Sequence, residues 1–127
     1  MVEKTKNYAV KNLDLASEGK NLIHWAEDHM PVLMKIKSDF EKTKPLKNLT
    51  LGCCLHVTKE TAVLVKTLNA GGAHVALCGS NPLSTNDAVA AALAKEGVFV
   101  YAWRGVSNDE YYWCVNSVLD HKPNITM

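Results

Sequence analysis

Four side chains that can do chemistry lie close together near the middle of the chain: His56, Thr58, Glu60 and Thr61. A histidine ring can give or take a proton near neutral pH. A glutamate can accept a hydrogen bond from an exocyclic amine, and a threonine hydroxyl can meet a ring nitrogen. Together these groups suit a planar, polar ligand such as a nucleobase.

Three of these residues also have a purely structural explanation. His56 can hydrogen bond within its own loop, and Thr58 alone is explained as the N-cap of a helix. Glu60 in a first helical turn gains roughly a few tenths of a kcal/mol from the helix dipole. It is the grouping of polar side chains at one point that favours a ligand site.

The surrounding pattern predicts how these side chains are positioned. The apolar run 49–55 predicts a buried strand, and helical spacing over 58–70 predicts a helix with Thr58 as its N-cap. Two glycines end this helix, and 74–78 reads as the next strand, which completes a βαβ unit. Because ligands of open α/β sheets bind beyond the carboxyl ends of the strands, we expect the site at this junction.

The same alternation continues along the chain. It predicts one α/β domain over residues 1–127, a Rossmann-like three-layer α/β/α sandwich with a mostly parallel sheet. The first dozen residues show no period, and no element is assigned to them. The chain stops on its last predicted strand, which we interpret as the end of a piece of a longer protein. The predicted strands are 49–55, 74–78, 98–102 and 124–127, and the predicted helices are 15–29, 31–42, 58–70, 86–96 and 108–120.

Composition and missing motifs argue against several function classes. The formal net charge of +1 gives no broad attraction to nucleic acid or membrane lipid, and no apolar run approaches the ~20 residues of a membrane span. The start of the chain lacks the apolar core of a signal peptide, so a cytoplasmic location is expected. The four cysteines show no C-x-x-C spacing and predict buried, reduced thiols without a metal. Residues 52–56 hold one glycine where the dinucleotide fingerprint needs three, so we expect no NAD bound by this chain alone.

Four motifs, occurring in order, resemble one known family: residues 54–64, 79–87, 100–105 and 110–114. They closely resemble the N-terminal substrate-binding part of S-adenosyl-L-homocysteine hydrolases, and the resemblance extends over about 15–127. It implies a several times longer, homo-oligomeric enzyme in which a later Rossmann domain holds NAD. In that family NAD oxidises the ribose 3′-hydroxyl of S-adenosylhomocysteine, homocysteine is eliminated, water adds, and reduction releases adenosine.

The resemblance also implies roles for individual residues. His56 is the implied catalytic group, transferring a proton near the 5′ carbon. Thr58 and Glu60 would contact the adenine, with Thr61 supporting them and Leu55 packing against the base. Two positions depart from the family pattern: Asn86 stands where glutamine is common, and Ser80 stands where some members carry cysteine. The implied substrate-binding residues are therefore Leu55, Thr58, Glu60, Thr61 and Asn86.

Two alternative hypotheses remain open beside the leading one, in which the chain is a fragment that is inactive alone. The chain could be a stand-alone domain that binds an adenine nucleoside without turnover, or a scaffold domain whose polar strand end is only a helix cap. Continuation of the reading frame past Met127 into an Asp-Asp-Gly run and a three-glycine fingerprint would favour the leading hypothesis. A stop codon would favour the binding module. These residues do not distinguish adenosine from inosine.

Overall fold

The computed structural model describes all residues from 1 to 127 and is built on one six-stranded sheet. The strands are β1 (Glu3–Lys4), β2 (Tyr8–Val10), β3 (Thr50–Leu55), β4 (His74–Gly79), β5 (Phe99–Tyr101) and β6 (Ile125–Thr126). The helices are α1 (Ala16–Asp28), α2 (Pro31–Thr43), α3 (Lys59–Ala70), α4 (Asp87–Lys95) and α5 (Asn108–Leu119), and a short 3₁₀ turn at Leu13–Leu15 precedes α1. The strand order is β1-β2-β5-β4-β3-β6, and only the β1–β2 pair is antiparallel.

Successive strands are added to the sheet first on one side of β3 and then on the other. The chain steps from β3 to β4 to β5 through α3 and α4, and α5 then carries it back to β6 on the other side of β3. Such a reversal leaves a crevice beyond the carboxyl end of the central strand. β3 pairs with β4 from Thr50 opposite His74 to Leu55 opposite Gly79, so the loops that follow the two strands start side by side.

Helices cover both faces of the sheet, which confirms the predicted three-layer arrangement. On one face, α1, α3 and α4 enclose a large apolar cluster that includes Val63 and Leu93. On the other face, α5 packs over a smaller cluster that includes Tyr101 and Cys114. The mostly parallel sheet is buried from both sides, as parallel sheets generally are.

Local capping chemistry sets the starts of the helices. Thr58 caps α3, Asn86 caps α4, and Ser107 forms a complete capping box with Glu110 at the start of α5. Pro31 occupies the first turn of α2, where its missing N–H leaves no hydrogen bond unmade. The four predicted strands and five predicted helices are confirmed, and each end lies within one residue of the prediction.

The assignment of no element to the first dozen residues is wrong. β1 and β2 form a hairpin there, and β2 adds to the sheet in parallel with β5, where Ala9 and Val10 are fully buried. A strand of two or three residues is too short to show a period of two, and here pairing with β5 stabilises it instead.

A close approach of two helices depends on one glycine. Gly19 of α1 lies so near α4 that a Cβ at this position would stand 1.8 Å from the carbonyl oxygen of Ala88. The alanine-rich α4 is buried over nearly its whole length, so the small side chains of α4 and the glycine of α1 let the two backbones meet.

The structure also shows the state of the four cysteines and the character of the helices. Cys53, Cys78 and Cys114 are buried, Cys54 is partly buried, and none of the four is in a disulfide. None of the helices has the length and apolar character that crossing a bilayer requires.

Candidate functional site

The candidate site lies where the loops after β3 and β4 meet. The backbone N–H of Ser80 donates to the carbonyl of Leu55 (3.1 Å), and that of Asn86 donates to the carbonyl of Val57 (2.9 Å). These two bonds lie on either side of His56 in the sequence. They hold the two loops against each other at the carboxyl edge of the sheet.

His56 is exposed and bonds to the neighbouring loop instead of its own. Its ring nitrogen Nδ1 lies 3.2 Å from the side-chain nitrogen Nδ2 of Asn81. Its carbonyl accepts the backbone N–H of Thr58 (2.9 Å), which makes the tight turn that leads into α3. The other ring nitrogen has no partner in the protein, so it is available to a ligand.

Thr58 has the structural role that its position predicts. Its hydroxyl oxygen accepts the backbone N–H of Thr61 at 3.4 Å, as an N-cap does. The same hydroxyl donates to the hydroxyl oxygen of Thr61, also at 3.4 Å. Both bonds are long, and a ligand could take up the hydroxyl hydrogen of Thr58 with the loss of only one weak bond.

Glu60 presents a carboxylate to solvent in the first turn of α3. Its own backbone N–H and the neighbouring Lys59, 3.1 Å away, lower the pKa of its carboxyl group. The ammonium of Lys59 also lies 5.2 Å from the centre of the Trp25 ring, which limits its freedom to follow the carboxylate. At neutral pH Glu60 is therefore ionised and can only accept hydrogen bonds.

A cavity of about 290 Å³ brings Thr58, Glu60 and Asn86 together. Its volume is near the lower end of the range for small-molecule sites, which suits a base or a nucleoside. Leu55, His56 and Thr61 do not line it: Leu55 packs partly buried against the larger apolar cluster, and His56 lies outside it. The lining residues are Leu22, Thr58, Lys59, Glu60, Ser84, Thr85, Asn86 and Arg104.

Asn86 combines a structural contact with a free group. Its side-chain oxygen accepts the backbone N–H of Val89 (3.1 Å) as the cap of α4, which leaves its amide nitrogen without a protein partner at the cavity. Ser84 and Arg104 also line the cavity, and neither was predicted as a site residue. The signal available for them was weak, since Ser84 lies in a run of turn-forming residues and Arg104 lies in the turn that follows β5.

A larger cavity of about 440 Å³ lies at the opposite, amino end of the strands. Its polar rings bond to one another: His74 Nε2 lies 2.9 Å from His121 Nδ1, and His121 Nε2 lies 2.9 Å from the hydroxyl of Tyr101. These groups already have partners inside the protein. We therefore favour the smaller cavity, which lies at the carboxyl edge and has unpaired polar groups.

No group of three or more histidine, cysteine, aspartate and glutamate side chains in the chain is placed to hold a metal ion. The buried thiols of Cys78 and Cys114 are also poor ligands and nucleophiles. Burial raises the pKa of Cys114 to about 12, and burial together with the neighbouring Cys54 raises that of Cys78 further.

Comparison with known proteins identifies the family of this chain. Residues 7–127 match the family model described as S-adenosyl-L-homocysteine hydrolase. The chain is 58% identical to adenosylhomocysteinase of Saccharolobus solfataricus over 122 residues, which are 95% of this chain and 29% of that protein. It is 54% identical to S-inosyl-L-homocysteine hydrolase of Methanopyrus kandleri over 125 residues, 98% of this chain and 30% of that protein. The chain thus spans less than a third of the length of these curated relatives, and it belongs to the S-adenosyl-L-homocysteine hydrolase family.

Proposed function

We propose that this chain is the N-terminal portion of the substrate-binding domain of an enzyme that reversibly cleaves S-adenosyl-L-homocysteine, or its inosyl analogue, to a nucleoside and homocysteine. The observation that carries the proposal is the meeting of Thr58, Glu60 and Asn86 at one cavity beyond the carboxyl end of β3. The family match over residues 7–127 supports the same assignment.

The base is the part of the substrate that this cavity suits best. Adenine offers an exocyclic amine that donates and ring nitrogens that accept. The ionised Glu60 accepts from the amine, and the hydroxyl of Thr58 donates to a ring nitrogen. Hypoxanthine, the base of inosine, also offers one N–H to a carboxylate, so Glu60 by itself is compatible with both bases.

His56 lies beside the cavity and not in its wall, which suits a role on a part of the substrate other than the base. Cleavage of the thioether requires that the departing homocysteine sulfur gains a proton and that the incoming water loses one. We assign to His56 the proton transfer near the 5′ carbon, because its ring is exposed and one ring nitrogen is free.

NAD, which the family resemblance implies, does not fit the residues of this chain. The one glycine of β3, Gly52, is used for packing: a Cβ there would lie 2.9 Å from Pro123, so the glycine does not face a pyrophosphate. The turn after β3 contains no glycine for close approach of a phosphate. We therefore place the NAD site in a part of the protein beyond this chain and assign this chain no step that involves NAD.

We further propose a cytoplasmic, homo-oligomeric enzyme of methyl-group metabolism. The free cysteines suit a reducing compartment, since structural disulfides are rare there. The oligomeric state rests only on the family resemblance. A stand-alone nucleoside-binding module remains the alternative, because this chain contains the cavity but no NAD site.

The proposal is tested with two proteins. The product of the complete gene, supplied with NAD, is expected to convert S-adenosylhomocysteine or S-inosylhomocysteine to the nucleoside, measured by chromatography. The 127-residue chain alone is expected to hydrolyse neither and to bind no NAD. Absence of both hydrolysis and nucleoside binding in the complete gene product would disprove the proposal, and binding without hydrolysis would establish the alternative.

A further inference from the structure

The side chain of Asn81 is held in one orientation by the backbone of its own loop. Its oxygen Oδ1 accepts the backbone N–H of Leu83 at 2.9 Å and that of Ser84 at 3.0 Å. Exchange of the amide oxygen and nitrogen would place an N–H₂ group against two N–H donors, which would leave those donors unsatisfied. The amide nitrogen Nδ2 of Asn81 therefore points in the remaining direction, towards His56.

This orientation determines where His56 carries its proton. Nδ2 of Asn81 can only donate, and Nδ1 of His56 lies 3.2 Å from it. Nδ1 must then be the acceptor, because two N–H groups cannot face each other at a hydrogen-bonding distance. In the neutral ring the proton is consequently on Nε2, the nitrogen without a protein partner.

We propose that Asn81 is a positioning residue that holds His56 in the Nε2–H tautomer, with that N–H free for the substrate. The role in turnover rests on the function proposed above for His56, whereas the tautomer does not. In this form His56 offers a hydrogen-bond donor to the departing or entering group at the 5′ carbon. Transfer of the Nε2 proton to the substrate leaves a neutral ring only if Nδ1 takes up a proton in exchange, and Nδ1 can do so only when Asn81 releases it.

The contacts around the pair keep this geometry in place. Backbone hydrogen bonds from Ser80 to Leu55 and from Asn86 to Val57 connect the two loops on both sides of His56. Rotation of the Asn81 side chain away from the ring would break its own two bonds with the backbone N–H groups of Leu83 and Ser84. The histidine is thus oriented by a residue 25 positions further along the chain.

The tautomer can be read directly from the nitrogen chemical shifts of the imidazole ring. A long-range ¹H–¹⁵N correlation spectrum of the ¹⁵N-labelled 127-residue chain separates Nε2–H from Nδ1–H rings, and His56→Gln assigns the His56 signals among the five histidines. Wild type is expected to show protonated Nε2 and unprotonated Nδ1 at neutral pH. A dominant Nδ1–H form in wild type would overturn the inference.

Asn81→Asp supplies the complementary measurement. The aspartate keeps one oxygen for the two backbone N–H groups and turns the other towards His56, so Nδ1 should become protonated. Asn116→Asp makes the same change at an exposed position of α5 and should leave the His56 signals in place. Unchanged His56 signals in Asn81→Asp, or an equal change in Asn116→Asp, would also overturn the inference.

Turnover by the complete gene product tests the functional part. Asn81→Asp should lower kcat at least about tenfold, and KM should stay within about threefold, because the base contacts are untouched. An unchanged kcat beside a changed tautomer would disprove the positioning role. Loss of hydrolysis in wild type itself would instead disprove the proposed function and leave the tautomer result standing.

Discussion

Replacing Glu60 with glutamine removes a charge from the cavity and keeps the shape of the side chain. The structure indicates a small effect on folding, because the side chain is half exposed and its ion pair with Lys59 is also partly exposed. Exposed ion pairs contribute about 0–1 kcal/mol, and the helix-dipole term is about 0.3–1 kcal/mol. Together these two terms lower the free energy of unfolding by at most about 2 kcal/mol.

Binding should respond more strongly than folding. A hydrogen bond to a charged group contributes roughly 1.5–3 kcal/mol, so the Kd for adenosine should rise by roughly 10- to 150-fold in Glu60→Gln. The loss should be smaller for inosine, since a glutamine amide can donate to the base oxygen that replaces the adenine amine. The pKa of Glu60 is already below its ordinary value, so these differences should hold throughout the neutral range.

Calorimetric titration of the complete gene product with adenosine and inosine measures both constants, and urea unfolding measures stability. Asp109→Asn is a matched control, because Asp109 is an exposed acid in the first turn of α5 and lies outside the cavity. It should lose a similar, small amount of stability and keep its affinity. The reasoning is refuted if Glu60→Gln binds adenosine within about twofold of wild type, or if Asp109→Asn weakens binding as much.

Four further predictions concern other residues. His56→Ala should lower turnover by ~10²-fold or more and change nucleoside affinity much less, as steady-state kinetics with calorimetry would show. Thr58→Ala should lower the free energy of unfolding in urea by about 1 kcal/mol, because the N-cap is lost. Thr58→Ser should keep the cap, so a change in the nucleoside affinity of this variant measures the contribution of the threonine methyl group. Gly19→Ala should lower the free energy of unfolding by about 1–3 kcal/mol, because its Cβ would clash with α4. This loss should appear although alanine is the better helix former by roughly 0.5–1 kcal/mol. An increase in the urea midpoint would contradict the close packing of α1 on α4. Burial and the adjacent His74 lower the pKa of His121 below its ordinary 6.5, so in this pH range the folded chain binds fewer protons than the unfolded chain. The free energy of unfolding, measured in urea, should therefore fall as the pH drops from 6.5 through the folded pKa. The same pH dependence in His121→Gln would contradict this.

The sequence alone determined the central elements and their order, because their signals are local. The apolar run of β3, the cap at Thr58 and the helical spacing of α3 each depend on residues within a few positions of one another. The capping box of Ser107 and Glu110 at the start of α5 is equally local. Parallel pairing followed from the alternation of strands and helices, since a helical crossover joins strands in the same direction.

Tertiary structure alone decided which groups share a cavity. Four polar residues at the end of β3 looked equivalent in the sequence, yet only Thr58 and Glu60 among them line the cavity. Ser84 and Arg104, from later loops, also line it. The β1–β2 hairpin likewise exists because β5, about ninety residues away, pairs with it. The bond from Asn81 to His56 has the same origin. Contacts across such separations depend on how the strands are ordered in the sheet, and no local period in the sequence encodes that order.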